Sequence, residues 1–361
     1  MENNKLSRIP FIDVVKAIAM ISVVSFHACT NQSSTYLATN AFLIRFLSAF
    51  AMPVFFFVNG FLYKNKNPEH PIKEIIRKVK SYYLPFLAYN LFYLVFHNLF
   101  VYLHMVDARY GNSYYDVMDY VQHFILAITG HREFFSGALW FLGSILIINT
   151  ILILTEFISL KLWKGEHRLC VLGGVTIILL IAGYSGYVPE SMKLADSCRN
   201  MIYFFFGMVY RQKEWNRFLT NKKAVFIGIG VIVNLLISYN KLYNPMNIAH
   251  FLPFVILDYL NAFLGIVAVM LIAQISWVQN SKLLNIIGKN TMDIMGLHFM
   301  VFKVVSVIMI LYYSLPITRL AEYPVLIGIG GAWWILYTIV GVSVPTLFSI
   351  IRHKIGKGKK V

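Results

Sequence analysis

The chain has 361 residues, of which 58% are apolar, 16% aromatic and 13% charged, and its mean hydropathy is +0.65. Soluble proteins are about 45–50% apolar and about 25% charged, so no water-facing surface can be built from this composition, and disordered, collagen-like and disulfide-scaffold chains are excluded as well. Lys and Arg outnumber Asp and Glu by 32 to 16, but the bases fall in short runs between apolar stretches, the pattern of loops facing anionic lipid and cytoplasm rather than of a nucleic-acid surface.

A membrane-crossing helix needs about 20 apolar residues. Applied in chain order, that ruler predicts an all-α polytopic membrane protein, one domain over residues 1–361, with about ten transmembrane helices in one bundle. The spans fall near 10–30, 41–63, 82–104, 134–158, 169–188, 195–210, 224–240, 251–274, 292–313 and 324–351. The first is read as a retained helix rather than a secretory signal, because Asp13 and Lys16 interrupt it and no small-x-small cleavage site precedes Thr30. Between the third and fourth spans lies one long connection, 105–133, whose apolar stretch 120–129 is expected to lie along the interface. With both termini inside, the inner segments hold 23 Lys and Arg and the outer ones 6, which places both termini in the cytoplasm.

Ionisable side chains inside spans cost about 2.5–3.5 kcal/mol each even on the mildest scale, so they mark candidate function. In the first span Lys16 and His27 are eleven residues apart. At 100° per residue their directions differ by about 20°, with an axial separation of about 16 Å, and Asp13 lies on the same side. The stripe reads either as a functional track or as a snorkelling Lys16 neutralised by Asp13 beneath an interfacial His27. The ninth span carries His298 and Lys303, and Asp258 on the eighth reaches the depth of Lys303, so a buried Asp258–Lys303 pair is expected. Glu156 and Arg45 read as interfacial, and Asn90, Asn149 and Asn234 as interhelical hydrogen bonders.

Several signatures are missing from the sequence. Gly183-Tyr-Ser185-Gly-Tyr187 breaks the GxSxG elbow at its last position, and Gly288-Lys289-Asn-Thr291 lacks the upstream glycine of a phosphate loop. No histidine is followed by Asp after four intervening residues, no metal-ligand spacing occurs, and Cys29, Cys170 and Cys198 are too scattered for a disulfide framework.

Five segments together resemble the integral-membrane acyltransferase type 3 family. The first span matches its opening helix, with a basic residue, ten residues and then histidine. Met52-Pro-Val-Phe-Phe-Phe-Val-Asn59-Gly60-Phe resembles its Pro-x-Phe-Phe-x-x-Ser-Gly-Phe segment. Arg77-Lys-Val-Lys80-Ser-Tyr-Tyr-Leu-Pro85 is similar to its basic run, Trp140-Phe-Leu142 to its Trp-Phe-Leu, and Gly288 through His298 to its penultimate helix. Lys16 stands where much of the family has Arg, a change associated with the fucose 4-O-acetylase-like branch, and Asn59 stands where Ser is usual.

The resemblance implies an O-acetyltransferase in the inner membrane that moves acetyl from acetyl-CoA to a sugar hydroxyl of a surface polysaccharide or lipid-linked glycan. His27, Lys16 and Asp13 are the expected catalytic group. His27 would be general base, an imidazole of ordinary pKa about 6.5, and Asp13 would orient Lys16. Lys16, Arg77 and Lys80 are the expected donor contacts, with Lys78 beside them, since coenzyme A is polyanionic. Trp140, His298 and Asn59 form a second tier, Trp140 reading as core packing ahead of substrate contact, and no metal is expected. A multispanning transporter or glycan flippase is the alternative, because intramembrane Asp, Lys and His suit it as well.

Overall fold

The computed structural model describes residues 10–30, 37–107, 113–164, 167–189, 193–215, 222–239 and 252–358. The loop bases Lys5, Arg8, Arg109, Arg217, Lys241, Lys359 and Lys360 lie outside them. Among the described residues every regular element is helical: α1 Pro10–Cys29, α2 Leu37–Ser48, α3 Ala51–Phe61, α4 Pro71–Lys78, α5 Leu84–Val95, α6 His97–Tyr102, α7 Val117–Ile128, α8 Trp140–Trp163, α9 Arg168–Tyr184 and α10 Leu194–Gln212, followed by α11 Lys223–Tyr239, α12 Leu252–Ile272, α13 Ser276–Gln279, α14 Lys282–Lys289, α15 Thr291–Tyr312 and α16 Trp333–Gly358. Each expected span overlaps one or two of these. Among the described residues, six segments are long and apolar enough to cross a membrane: Phe11–Cys29, Ala41–Phe61, Phe134–Trp163, Val255–Ile272, Thr291–Tyr312 and Trp333–Ile355.

α1 is the hub, packed on α14, α16, α2, α3 and α15. Its approach to α14 is possible only because position 288 has no side chain: a Cβ there would lie 1.7 Å from the Asp13 carbonyl oxygen. The same device joins α3 to α10, where Gly60 faces the Phe204 carbonyl and Gly207 the Phe57 carbonyl, the small-residue packing that lets backbones meet in lipid.

Proline and glycine account for the departures from the expected spans. α4 runs into α5 through a π turn, Val79–Tyr83. Pro85 has no N–H to return to Ser81, and the Leu84 N–H reaches back to the Val79 carbonyl instead. The last span begins at Trp333 rather than near 324, because Pro324 cannot donate and Gly328 and Gly331 turn the chain at φ of 77° and 96°. The interfacial stretch is α7, capped reciprocally by Asp116 and Asp119 and exposing Val121, Phe124, Ile125 and Ile128.

The expected polar contacts fare unevenly. Asn90 joins two segments, donating to the His131 carbonyl and accepting from the Glu133 N–H. Asn149 and Asn234 instead bond within their own helices, where a carbonyl or serine one turn away is nearer than any partner across the interface. Glu156 is buried, with Arg168, Tyr63 and Asn65 converging on its carboxylate. Arg45 donates to the Ser238 carbonyl on α11.

Candidate active site

Near the end of α1 the His27 ring stacks on His298 of α15, with centroids 5.5 Å apart, and meets Phe299 edge-on at 4.7 Å. His298 is fully buried, and its Nδ1 lies 2.9 Å from the Ile294 carbonyl. A carbonyl only accepts, so Nδ1 carries the proton and Nε2 presents a lone pair. That Nε2 has no hydrogen-bond partner. His27 is half-buried, and among the described residues neither of its ring nitrogens is bonded. The pair therefore offers a fixed tautomer beside a second imidazole free to take a proton.

The other end of α1 holds the charge. Lys16 Nζ lies 2.8 Å from the buried Asp13 carboxylate. Helix α1 is unbroken from Asp13 to His27, so the axial distance of about 16 Å between Lys16 and His27 follows from the helical rise. The two sites share one rigid rod.

The basic run sits on the α4–α5 rod. Arg77 is paired with Glu74, which is completely buried, and donates to the Lys64 carbonyl at 3.1 Å. Lys80 is exposed. Lys78 is the buried member, its ammonium 5.0 Å over the Tyr63 ring; burial, reinforced by the adjacent Arg77 charge, pushes its pKa down to about 8. Asn59 of α3 accepts from the Tyr82 hydroxyl at 3.0 Å, tying the glycine-containing motif to this run. No hydrogen bond or ion pair among the described residues joins the run to Lys16. Trp140 is half-buried at the head of α8, its ring 6.2 Å from Phe56.

Asp258 does not pair with Lys303. The Lys303 ammonium, 3% exposed, donates to the Leu320 carbonyl at 2.8 Å and the Glu322 carbonyl at 2.6 Å, and the half-buried Asp258 lies near Tyr184 and Tyr259. Backbone carbonyls win because the short turn Ile317–Ala321 folds back into the bundle and brings unsatisfied acceptors to the lysine. Lys303 also lies 6.0 Å from the Phe134 ring and 5.7 Å from that of Phe135. It thus fastens two irregular segments, around 130–139 and 317–327, at about 18 Å along α15. Irregular backbone at such depth persists only when buried in protein or lining a cavity.

Between those segments opens a cleft of about 370 Å³ walled by Arg132, Phe134, Gly137 and Tyr323. The Tyr323 ring lies 4.8 Å from Phe299, which in turn meets His27 at 4.7 Å, so two aromatic side chains link the cleft wall to His27. Sequence reasoning did not find Phe299 or Tyr323; the available signal was polar and glycine-rich sequence, Gly130 to Gly137 and Pro324 to Gly331, adjoining apolar spans.

A paired-imidazole centre inside a multispanning helical bundle, neighboured by a polar cleft and aligned on one helix with a distant lysine, defines an integral membrane protein equipped for acid–base transfer. The profile described as "Acyltransferase domain" matches residues 9–351. The chain belongs to the type 3 acyltransferase family, and it is a membrane acyltransferase. No curated protein and no solved structure matches it.

Proposed function

We propose that this acyltransferase, of the fucose 4-O-acetylase-like branch, moves acetyl from acetyl-CoA to a sugar hydroxyl of a surface polysaccharide or its lipid-linked precursor. It does so as a protein of about ten spans in the inner membrane with both termini cytoplasmic. The observation that carries this reading is the alignment of Lys16 and His27 on one unbroken helix, with the Lys16–Asp13 pair at one end and the paired imidazoles at the other. Lys16, Arg77 and Lys80 hold the donor's phosphates from the cytoplasmic side. The pantetheine arm then spans the about 16 Å to His27.

His27 takes the hydroxyl proton as that oxygen attacks the thioester carbonyl. The C–S bond breaks, and the proton passes from His27 to the departing CoA sulfur. A positioned base of this kind contributes roughly 10²–10⁴ in rate. His298 holds the His27 ring in place through the stack, and Asp13 orients Lys16.

The test is purified protein in lipid nanodiscs with acetyl-CoA and extracted surface glycan. His27→Ala should bind acetyl-CoA as wild type does and transfer nothing, while Lys16→Ala should weaken donor binding. Full transfer by His27→Ala removes the base, and wild-type donor binding by Lys16→Ala removes the through-membrane arrangement. A protein that moves glycan without acetylating it is a flippase.

A further inference from the structure

Arg132 borders two cavities of opposite character. One is the polar cleft beside Tyr323. The other is an apolar groove of about 130 Å³ formed by Phe86, Trp140, Gly143 and Leu146, with Lys193 at its edge. The groove lies along the first turns of α8, within the segment Phe134–Trp163 that is apolar enough to cross the membrane. One N–H of the Arg132 side chain donates to the Gly137 carbonyl at 3.0 Å, and among the described residues the rest of the fork is unbonded. Arg132 is exposed. The two cavities therefore meet at a planar cation with donors to spare, and a second cation, Lys193, paired with Asp196 at 3.2 Å, also lines the groove.

Each part selects a different piece of one molecule. A guanidinium fork matches phosphate oxygens. An apolar groove at membrane depth takes hydrocarbon. A cleft within the size range of small-molecule sites, about 300–1,000 Å³, with aromatic walls at Phe134 and Tyr323 takes a sugar ring, whose C–H face lies against the ring while its hydroxyls remain free. We propose that Arg132 joins these subsites into one acceptor site for a saccharide carried on a lipid phosphate: phosphate on Arg132, the proximal lipid chain in the groove, and the first sugar in the cleft beside Tyr323, with the reacting hydroxyl on the part of the saccharide that extends from the cleft toward His27. This deepens the proposed function by choosing the lipid-linked precursor over finished polysaccharide, and it rests on that reading for the role of His27.

The experiment measures binding rather than turnover, so it stands apart from the transferase assay. Purified full-length protein in neutral-lipid nanodiscs is titrated with farnesyl phosphate, farnesol and inorganic phosphate. Farnesyl phosphate should bind at least tenfold more tightly than either of the others. Arg132→Gln should weaken it tenfold or more, and Arg132→Lys should restore part of the loss. Gly143→Phe should weaken it too by filling the groove; a Cβ at position 143 meets nothing within 4 Å, so the substitution enters open space. Acetyl-CoA binding should be unchanged in all three variants, which also reports that they fold. Equal binding of farnesyl phosphate by wild type and Arg132→Gln would overturn the proposal. So would phosphate or farnesol binding as tightly as the joined molecule, since either result separates the subsites.

Discussion

Replacing Lys303 with methionine tests whether one side chain holds the two irregular segments in place. Methionine keeps the length and apolar stem of lysine, so the packing against Phe134 and Phe135 survives while the ammonium is lost. The Leu320 and Glu322 carbonyls are then left without their donor. Stranding a buried acceptor costs about 1–3 kcal/mol, so the pair loses about 2–6 kcal/mol. Against this, about 2.5–3.5 kcal/mol is recovered by no longer keeping a charged lysine at membrane depth. The terms nearly cancel for the whole molecule, but they do not cancel locally, because the recovered energy belongs to the apolar surroundings and the loss to the turn. Global melting should move by a few degrees at most. Amide exchange at Glu322, which donates to the Arg319 carbonyl, and at Ile327, which donates to the Glu322 carboxylate, should accelerate. At the lower bound of about 2 kcal/mol the factor is about 30-fold. Hydrogen–deuterium exchange of peptides covering 315–330, in nanodiscs, reads this directly. Unchanged protection there, with or without a shift in melting, would show that the turn is held by something other than Lys303.

Two further outcomes follow from the basic run on α4 and from the helix contacts. The Lys78 ammonium is held at a pKa of about 8, below the about 10.4 of an unfolded lysine, so between these values the unfolded chain binds more protons and stability rises with pH. The penalty is fully present below about pH 8; Lys78→Met should therefore raise the melting temperature at pH 7 and flatten the rise seen in wild type from pH 8 to 10, and identical slopes in the two proteins would contradict the burial argument. Gly288→Ala would put a Cβ 1.7 Å from the Asp13 carbonyl oxygen, so it should destabilise by about 1–3 kcal/mol and weaken acetyl-CoA binding by shifting Lys16, whereas Gly174→Ala, with nothing within 4 Å, should leave both melting and binding as in wild type.

The helical class and the two ends of α1 were legible in the sequence because both depend on local quantities. Apolar run length identifies a span, and 100° per residue fixes the relative facing of Lys16 and His27. The stacking of His27 on His298 was not legible: the two rings are 271 positions apart, and nothing in either helix names the other. The Asp258–Lys303 pair failed for a related reason. Depth along two helices made the carboxylate the natural partner, but a turn folding inward from 317–321 supplied carbonyl oxygens that hydropathy cannot foresee. Residues 324–332 were likewise drawn into the last span by their apolarity, although Pro324, Gly328 and Gly331 stop a helix there. Arg77 was visible as a base, while its engagement by the buried Glu74 required coordinates.

The pairing of His27 with His298 also has a bearing on biosynthesis. Helix α1 leaves the ribosome carrying one imidazole, and its companion arrives only with α15, after α2 to α14 have been translated. The Lys303 clamp joins segments from the middle and the late part of the chain, and the cleft likewise lacks its Tyr323 wall until that late segment is made. A nascent or prematurely ended chain can insert its early helices and still possess no complete centre. The stacked pair therefore forms only once α15 has joined α1 in the bundle.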